Sequence, residues 1–587
     1  MPAGPIFVRE ALTAPRGPRH FLLRSGYVAG LLVLFYSIRQ ATIGFQDVQF
    51  AGDVAAFSSL AFQMFCVLQL TLALFFSTLF TAANVAQEKD RKTLILLLMT
   101  DMRNHELAYG KLLASLLIVI VLLATSLPVF GALTVLGGVT WTQVFWAEAV
   151  IATAAFASGA WGCLTAFWRE KTFQTLAISV LGVVVFLFVI EGLIAATGAE
   201  TSIGQSIARI SPYRGLLEIL NPLTAEVPGT PVVSGLTTVI ALSAIAAGLS
   251  LWTVARLRVW NPSQSVRQSA LDAPADEADG KAASTPARRS VKHRTVWQNP
   301  VTWREVRTRA YGRRIIWIKA AYVALAVMMV LAASSGNQST ARVLGMVSPP
   351  AFAFVGIAII SLLLMNAQAV TSITNERDGR TLEPLLITDL SAKEFMLGKI
   401  GGALWNAREM IVLPLLLLIW MSASGAMTGL TAENCVYLVT AYLALSLFAI
   451  ALGLHSGLTW ENSRSAIGSS LGTMFFLFVG IFIFMLLLVE AKSSFGIQMQ
   501  SFIVFIGFGS LGLYSTLTHR NPSGALTLAS IVLPFLTFYA ITEFLLGGSL
   551  GVCLCICAAY GFTIVAMLIP AMTDFDLALG RNTQDAA

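Results

Sequence analysis

Long apolar runs separated by short polar breaks fill nearly the whole chain. A helix needs about 20 apolar residues to cross a bilayer. Runs of that length fall at 21–40, 55–83, 112–137, 142–168, 174–197 and 232–257. After a polar stretch they resume at 315–334, 349–375, 400–426, 433–459, 466–490, 499–518, 525–547 and 549–571. The pattern predicts an all-α integral membrane protein of fourteen spans, or twelve if 499–547 forms a re-entrant or external element. Arg24 interrupts the first run, where its long side chain can snorkel to the interface.

The polar stretch from Arg256 to about Arg314 divides the chain. It is rich in Ala, Ser and Pro, holds the acidic run Asp272–Asp279, and then turns basic at Arg288, Arg289, Lys292 and Arg294. Such a composition cannot bury a core. The sequence therefore reads as a first repeat (1–258), a cytoplasmic linker (259–298) and a second repeat (299–587). Each repeat has about six spans, and the second carries an additional hairpin, 499–518 with 525–547.

A duplicated motif supports this division. Residues 88–111 read EKDRKTLILLLMTDMRNHELAYGK, and residues 376–399 read ERDGRTLEPLLITDLSAKEFMLGK, without a gap. In both copies the motif lies between the second and third runs of its half. Thr93 and Thr381 suit helix N-caps. Leu94, Leu97 and Leu98, matched by Leu382, Leu385 and Leu386, fall at i, i+3 and i+4 and predict one apolar face on a short helix. Glu88 and Asp90, with Glu376 and Asp378, supply charges before it. Thr100-Asp101 and Thr388-Asp389 end it. A lone charged loop between two spans is most simply a solvated connection; two copies in register point to paired docking points for a cytoplasmic partner. In the second copy Ser391 and Glu394 form a capping box, whereas the first has Arg103 in place of the serine and keeps Glu106. A second repeat pairs Pro5–Glu10 with Pro300–Glu305. Arg9, Glu10, Arg304 and Glu305 would lie there on short interfacial helices.

Charge sets the expected orientation. With the N-terminus inside, only Arg39, Arg209, Arg214, Arg342 and Lys492 face outward, as the positive-inside rule requires. Both termini and both motif copies are then cytoplasmic, the location is the cell (inner or plasma) membrane, and the halves are parallel repeats about an axis along the membrane normal.

Composition narrows the function. The 587 residues are 56% hydrophobic and 12% charged, about half the charged share of a soluble domain. The net charge of +7 comes from basic residues beside the spans, so nucleic acid is not an expected partner, whereas membrane lipids are. The first twenty residues are basic and broken by Pro2, Pro5, Pro15 and Pro18, unlike a signal peptide. All six cysteines lie in apolar runs, which argues against a disulfide framework. His105-Glu106 lacks the second histidine of a zinc-protease helix, since Tyr109 stands there. Cys553, Cys555 and Cys557 read as small packing residues. Glu148, Glu191 and Glu490 fit interfacial positions near span ends, and Glu543 fits no clear role. Pro128 and Pro414 predict a kink in each third span. Arg408-Glu409 extends the polar entry to the second of these.

The motif resembles the permease subunits of ATP-binding-cassette exporters of the type 2 class, in which it forms the coupling helix between spans 2 and 3. The Asn299–Glu305 start is similar to that family's N-terminal amphipathic helix. The resemblance covers essentially the whole chain and departs from the usual single-domain permease in the fusion and the additional hairpin. It implies docking on cytoplasmic ATPase subunits, two in number, one per coupling helix. Gly110-Lys111 and Gly398-Lys399 lack the upstream glycine and following Ser or Thr of a phosphate loop. No cofactor is expected in this chain, and ATP and Mg would be bound by the partner ATPase. A membrane scaffold that recruits a cytoplasmic complex is the rival reading; a polar path between the halves would favour transport, and a close-packed apolar interface would favour the scaffold.

Overall fold

The computed structural model describes residues 4–13, 18–43, 50–198, 201–220, 235–261, 297–307, 315–335, 348–382, 390–424, 430–490, 495–519 and 523–578. Among these there is no strand, and the chain is an all-α multi-pass membrane protein. Twelve helices are long and apolar enough to cross a membrane, and one bent pair makes a thirteenth. The expected first span of the second half is represented by a shorter apolar helix, Ile316–Leu331, below the length of a full span. The two helices of the additional hairpin each have the length of a span. The proposed linker lies outside the described residues, apart from its edges.

The first half runs through α1 (Gly4–Thr13), α2 (Pro18–Thr42), α3 (Ala51–Asp90), α4 (Thr93–Leu98), α5 (Asn104–Leu136), α6 (Trp141–Trp168), α7 (Thr172–Thr197), the short α8 (Ser202–Ala208) and α9 (Pro212–Leu220), and α10 (Gly235–Trp260). The second runs through α11 (Pro300–Arg307), α12 (Ile315–Ser335), α13 (Pro349–Asp378), α14 (Ala392–Asn406), α15 (Arg408–Ser424) and α16 (Ala432–Thr459). There follow α17 (Ser463–Phe475), a π-helical turn at Phe476–Gly480 and α18 (Ile481–Glu490). The hairpin α19 (Phe495–Leu517) and α20 (Gly524–Leu545) and the final α21 (Leu550–Ala578) complete the chain. One apolar core runs through both halves, and a smaller one gathers around α4.

Helices are the form these runs must take, because lipid offers backbone groups no partner outside the segment. Small residues then decide where helices cross closely. A Cβ at Gly162 of α6 would stand 2.6 Å from the Thr78 carbonyl oxygen of α3. A Cβ at Gly453 of α16 would stand 2.7 Å from the Asn366 carbonyl oxygen of α13. The second and fourth long helices of each half thus cross backbone against backbone.

The 40-residue α3 is about 60 Å long at 1.5 Å per residue, twice the roughly 30 Å of a bilayer's hydrocarbon. Its apolar stretch ends at 83, and the last two turns project beyond it. They carry the start of the motif; the end of the bundle where they emerge is called the motif end below.

The third span of the second half differs from expectation. It is bent by 55° between α14 and α15, and the break falls at Ala407 rather than Pro414, which sits inside α15. Polar anchors draw the chain apart there. Asn406 Nδ2 donates to the Glu305 carbonyl at 3.3 Å, and Lys319 Nζ reaches Glu409 Oε2 at 2.6 Å. Pro128 lies inside α5, which continues as one helix. Glu148 is packed inside the bundle: Gln69 Nε2 donates to it at 2.9 Å and Ser126 Oγ at 3.1 Å, between α3, α5 and α6. Glu191, by contrast, pairs with Arg214 Nη2 at 2.7 Å beside α9.

Candidate functional site

The leading charges of the motif point inward, onto the protein itself. Glu88, the first residue of the first copy, pairs with Lys111, the last. In the second copy Glu376 pairs with Lys399 at 2.8 Å. The two lysines are only 4% and 1% exposed, so each ion pair ties the end of span 2 to the start of span 3. Lys399 also reaches Glu305 Oε1 at 2.7 Å and the Ser372 carbonyl at 3.2 Å, and Arg304 joins the cluster at Glu376. Glu305 is therefore buried under α14. Gly398 and Gly402 permit that close approach, since added Cβ atoms would lie 2.7 Å from Val301 Cβ and 2.5 Å from Glu305 Cβ. In the first half Arg9 pairs with Glu10 at 3.0 Å and is exposed, while Ile6 of the same helix is buried.

The second motif residue closes the C-terminal end of the fourth long helix of its half, α6 in the first and α16 in the second. Lys89 Nζ donates to the Phe167 and Arg169 carbonyls at 2.6 and 2.9 Å. Arg377 donates to the Gly457 carbonyl at 3.0 Å and to that of Trp460. These are carbonyls left over at a helix C-terminus. The third motif residue holds the next helix: Asp90 accepts from Thr172 Oγ1, and Asp378 Oδ2 accepts from Ser463 Oγ at 2.5 Å. Arg91 Nε then reaches across to Asp378 Oδ1 at 3.2 Å, joining the two copies. Burial pushes the Asp90 carboxyl up to about 6, the Thr172 hydrogen bond opposing and the Asp378 charge adding to it. Burial likewise pushes the Lys89 amine down to about 7, against the nearby Glu170 and Asp90 charges.

Both copies turn in the same way. Lys92 (φ 59°) and Arg380 (φ 53°) are the two non-glycine residues with positive φ among the described residues. They lie 288 positions apart (380 minus 92) in the matched copies. Thr93 and Thr381 are not the expected N-caps by side chain. Their hydroxyls donate backward to the Glu88 and Glu376 carbonyls at 3.2 and 3.1 Å, and so finish span 2.

The short helix α4 corrects the expected docking face. Leu94 and Leu98 are buried in the chain's own small core with Ile6, Leu107 and Phe167, and Leu97 packs at its edge. The apolar stripe is what holds a six-residue helix in place, since so short a helix is not stable alone. The outward side chains are Leu96 and Met99, 64% and 72% exposed, with Thr93, Thr100 and Asp101 also exposed. In the second copy Leu382 packs on the main core, and Leu385, Leu386, Thr388 and Asp389 lie outside the described residues. The box after the motif forms as expected: the Glu394 N–H donates to Ser391 Oγ at 3.3 Å, and the Ser391 N–H to Glu394 at 3.1 Å. Arg103 keeps half of it, its N–H donating to Glu106 at 2.9 Å.

A cavity of about 1420 Å³ lies between the halves, lined by α2, α3, α5, α17, α18 and α19. It is larger than the roughly 300–1,000 Å³ of small-molecule pockets. On the other side α7 packs directly on α12 and α13. Here the additional helix α19 packs on α2 instead. Ser501 Oγ donates to the Ser37 carbonyl at 3.0 Å, and Gln40 Nε2 to Gln500 Oε1 at 3.0 Å, away from the motif end. The π-helical turn at Phe476–Gly480 lies in the cavity wall, a local widening that often marks functional sites.

The sequence displayed signals for part of this. The terminal Lys111 and Lys399 were visible in both copies, but their pairing with Glu88 and Glu376, 23 positions earlier (111 minus 88), needed the fold. The comparisons yield no matching family model and no significant match among curated proteins.

Proposed function

We propose that the chain is the membrane permease of an ATP-driven exporter of the type 2 ATP-binding-cassette class. Its two fused repeats would dock on two separate cytoplasmic subunits that bind and hydrolyse ATP with Mg. The observation that carries this reading is α4, a short helix keyed inward by Leu94 and Leu98 that offers Leu96 and Met99 to an outside partner. Exposed apolar residues on a fixed element suit a protein contact.

The motif's internal clamps give the helix mechanical reach. A push on α4 passes to α3 and α5 through Glu88 and Lys111. It passes to α6 and α7 through Lys89 and Asp90, and to the other half through Arg91 and Asp378. Closure of the ATPase subunits would in this way displace four helices of one half together. The cavity between the halves supports transport over the scaffold reading, which calls for close packing there, although its wall is mostly apolar and not the polar path that would favour transport most.

The test is purification of the full chain from its native membrane, with Leu96→Glu plus Met99→Glu as the docking variant. An ATP-hydrolysing subunit co-purifies with the wild type, and its recovery falls in the variant while the thermal midpoint of the permease stays unchanged. Recovery of a different cytoplasmic complex with no ATPase would overturn the permease reading in favour of the scaffold.

A further inference from the structure

Three helices of the first half meet at a polar cluster that the motif does not explain. Glu148 of α6 lies between Gln69 of α3 and Ser126 of α5. Gln69 is the middle residue of the apolar stretch 55–83 (69 minus 55 equals 83 minus 69), and both Gln69 and Ser126 are buried. The hydrogen-bond partners of Glu148 among the described residues are thus neutral. The titratable groups within reach of its charge are Tyr27 of α2 and Cys66 of α3. Charged and titratable side chains on the other helices packed on α6 act elsewhere. Glu191 of α7 and Glu218 of α9 act on Arg214, Tyr213 of α9 bonds Thr71, Lys111 of α5 pairs with Glu88, and Arg258 of α10 bonds Asn104.

A count of hydrogens shows what the cluster lacks. Four contacts of hydrogen-bond length meet there. Gln69 Nε2 lies 2.9 Å from Glu148 Oε1 and 3.1 Å from Ser126 Oγ. Ser126 Oγ lies 3.1 Å from Glu148 Oε1 and 2.7 Å from the Leu123 carbonyl oxygen. The amide brings two hydrogens and the hydroxyl one, so one contact has none. A proton on Glu148 supplies it: the carboxyl donates to Ser126 Oγ, and the hydroxyl is then free to donate to Leu123. Turning the amide over would bring the unpartnered Gln69 Oε1 into the cluster but would remove two hydrogens and deepen the shortage.

The fold itself does not call for these side chains. The second half crosses α13 and α16 as the first crosses α3 and α6. At the matched positions it has Ile357 (69 plus 288), Pro414 (126 plus 288) and, in the register of Gly162 with Gly453, Val439 (148 plus 291). An ionised carboxylate among apolar helices without a cation is costly, and taking up a proton removes the charge.

We propose that Glu148, Gln69 and Ser126 form a proton-binding site. Glu148 holds one proton while α3, α5 and α6 are packed together, and gives it to water, leaving a carboxylate, when they part. The same three helices are clamped at the motif end by the Glu88–Lys111 pair and by Lys89 on the Phe167 carbonyl, so movement of the motif bears on the site. A metal cation fits poorly, since it needs several oxygens at once and the amide turns its N–H side to the carboxylate. The site requires neither the permease reading nor an ATPase.

The experiment is infrared spectroscopy of the full chain in nanodiscs at neutral pH, in ordinary and in heavy water. The wild type should show the C=O band of a protonated carboxylic acid, displaced in heavy water, and Glu148→Gln should lose it. Glu148→Asp, one methylene shorter, should shift the band, so the assignment does not hang on one variant. Replacing choline by sodium in the buffer should leave the wild-type band unchanged. A spectrum that Glu148→Gln and Glu148→Asp leave unaltered in this region would show an ionised Glu148 and overturn the site. So would a band that sodium removes, because the ligand would then be a metal cation.

Discussion

Arg91 Nε lies 3.2 Å from Asp378 Oδ1, so a residue of one motif copy neutralises a buried acid of the other. Asp378 is 3% exposed and Arg91 43%, which makes this a half-buried ion pair at the seam between the halves. Arg91 has no equivalent in the second copy, where Gly379 stands, so the seam is made from one side only. In a double-mutant cycle of Arg91→Ala and Asp378→Asn, the coupling should be about 1 kcal/mol. Thermal unfolding of the purified protein reads it; additive single effects would show that the contact joins nothing.

Among the described residues, Lys399 and the more exposed Arg304 are the cations that pair with Glu305 and Glu376. Lys399→Met should leave two acids poorly compensated and cost on the order of 3–5 kcal/mol. Lys111→Met should cost less, since only Glu88 loses its partner. Glu376→Gln in the Lys399→Met background should restore part of the loss. Fluorescence-detected size exclusion after heating measures all three, and no rescue would mean that packing of the lysine stem matters more than its charge.

Asp90 gives a pH dependence with a defined sign. Its folded value of about 6 lies above the roughly 3.9 of an unfolded aspartate. A raised value means that the folded state holds the proton more tightly. The stabilisation is therefore fully present below about pH 4 and is lost as pH rises through 6. Asp90→Asn keeps an acceptor for Thr172 without the buried charge. It should stabilise the protein at pH 8 by on the order of 1–3 kcal/mol and have almost no effect at pH 4. Equal effects at both pH values would exclude titration of Asp90 as the cause.

The crossing at Gly453 sits directly against α13, with Ala369 Cβ and the Asn366 carbonyl oxygen both 2.7 Å and the Val370 nitrogen 2.9 Å from an added Cβ. Gly453→Leu should therefore prevent recovery of folded protein, whereas Gly561→Leu, where an added Cβ meets nothing within 4 Å, should be tolerated. Comparable expression of both variants would show that α13 and α16 can separate without penalty.

The sequence by itself determined the helical, many-spanned class and the order of the apolar runs, because a bilayer's thickness imposes one length of apolar helix whatever the neighbours are; it left twelve or fourteen spans open, and the structure has twelve helices of that length, or thirteen with the bent pair, among the described residues. It also determined that the motif occurs twice and that Leu94 and Leu98 share a face. It did not determine which way that face turns. An apolar stripe serves a partner or the chain's own core equally well, and only the packing of α1, α5 and α6 around α4 assigned Leu94 inward and Leu96 outward. The same holds for the charges. Glu88, Asp90, Glu376 and Asp378 read as exposed docking groups until the fold brings lysine, threonine and serine from distant helices to meet them. Ion pairs and helix ends are satisfied across space, not along the chain. The bend at Ala407 and the cavity between the halves belong to tertiary structure for the same reason: Glu305 and Lys319 draw the third span apart, and α19 takes the place beside α2.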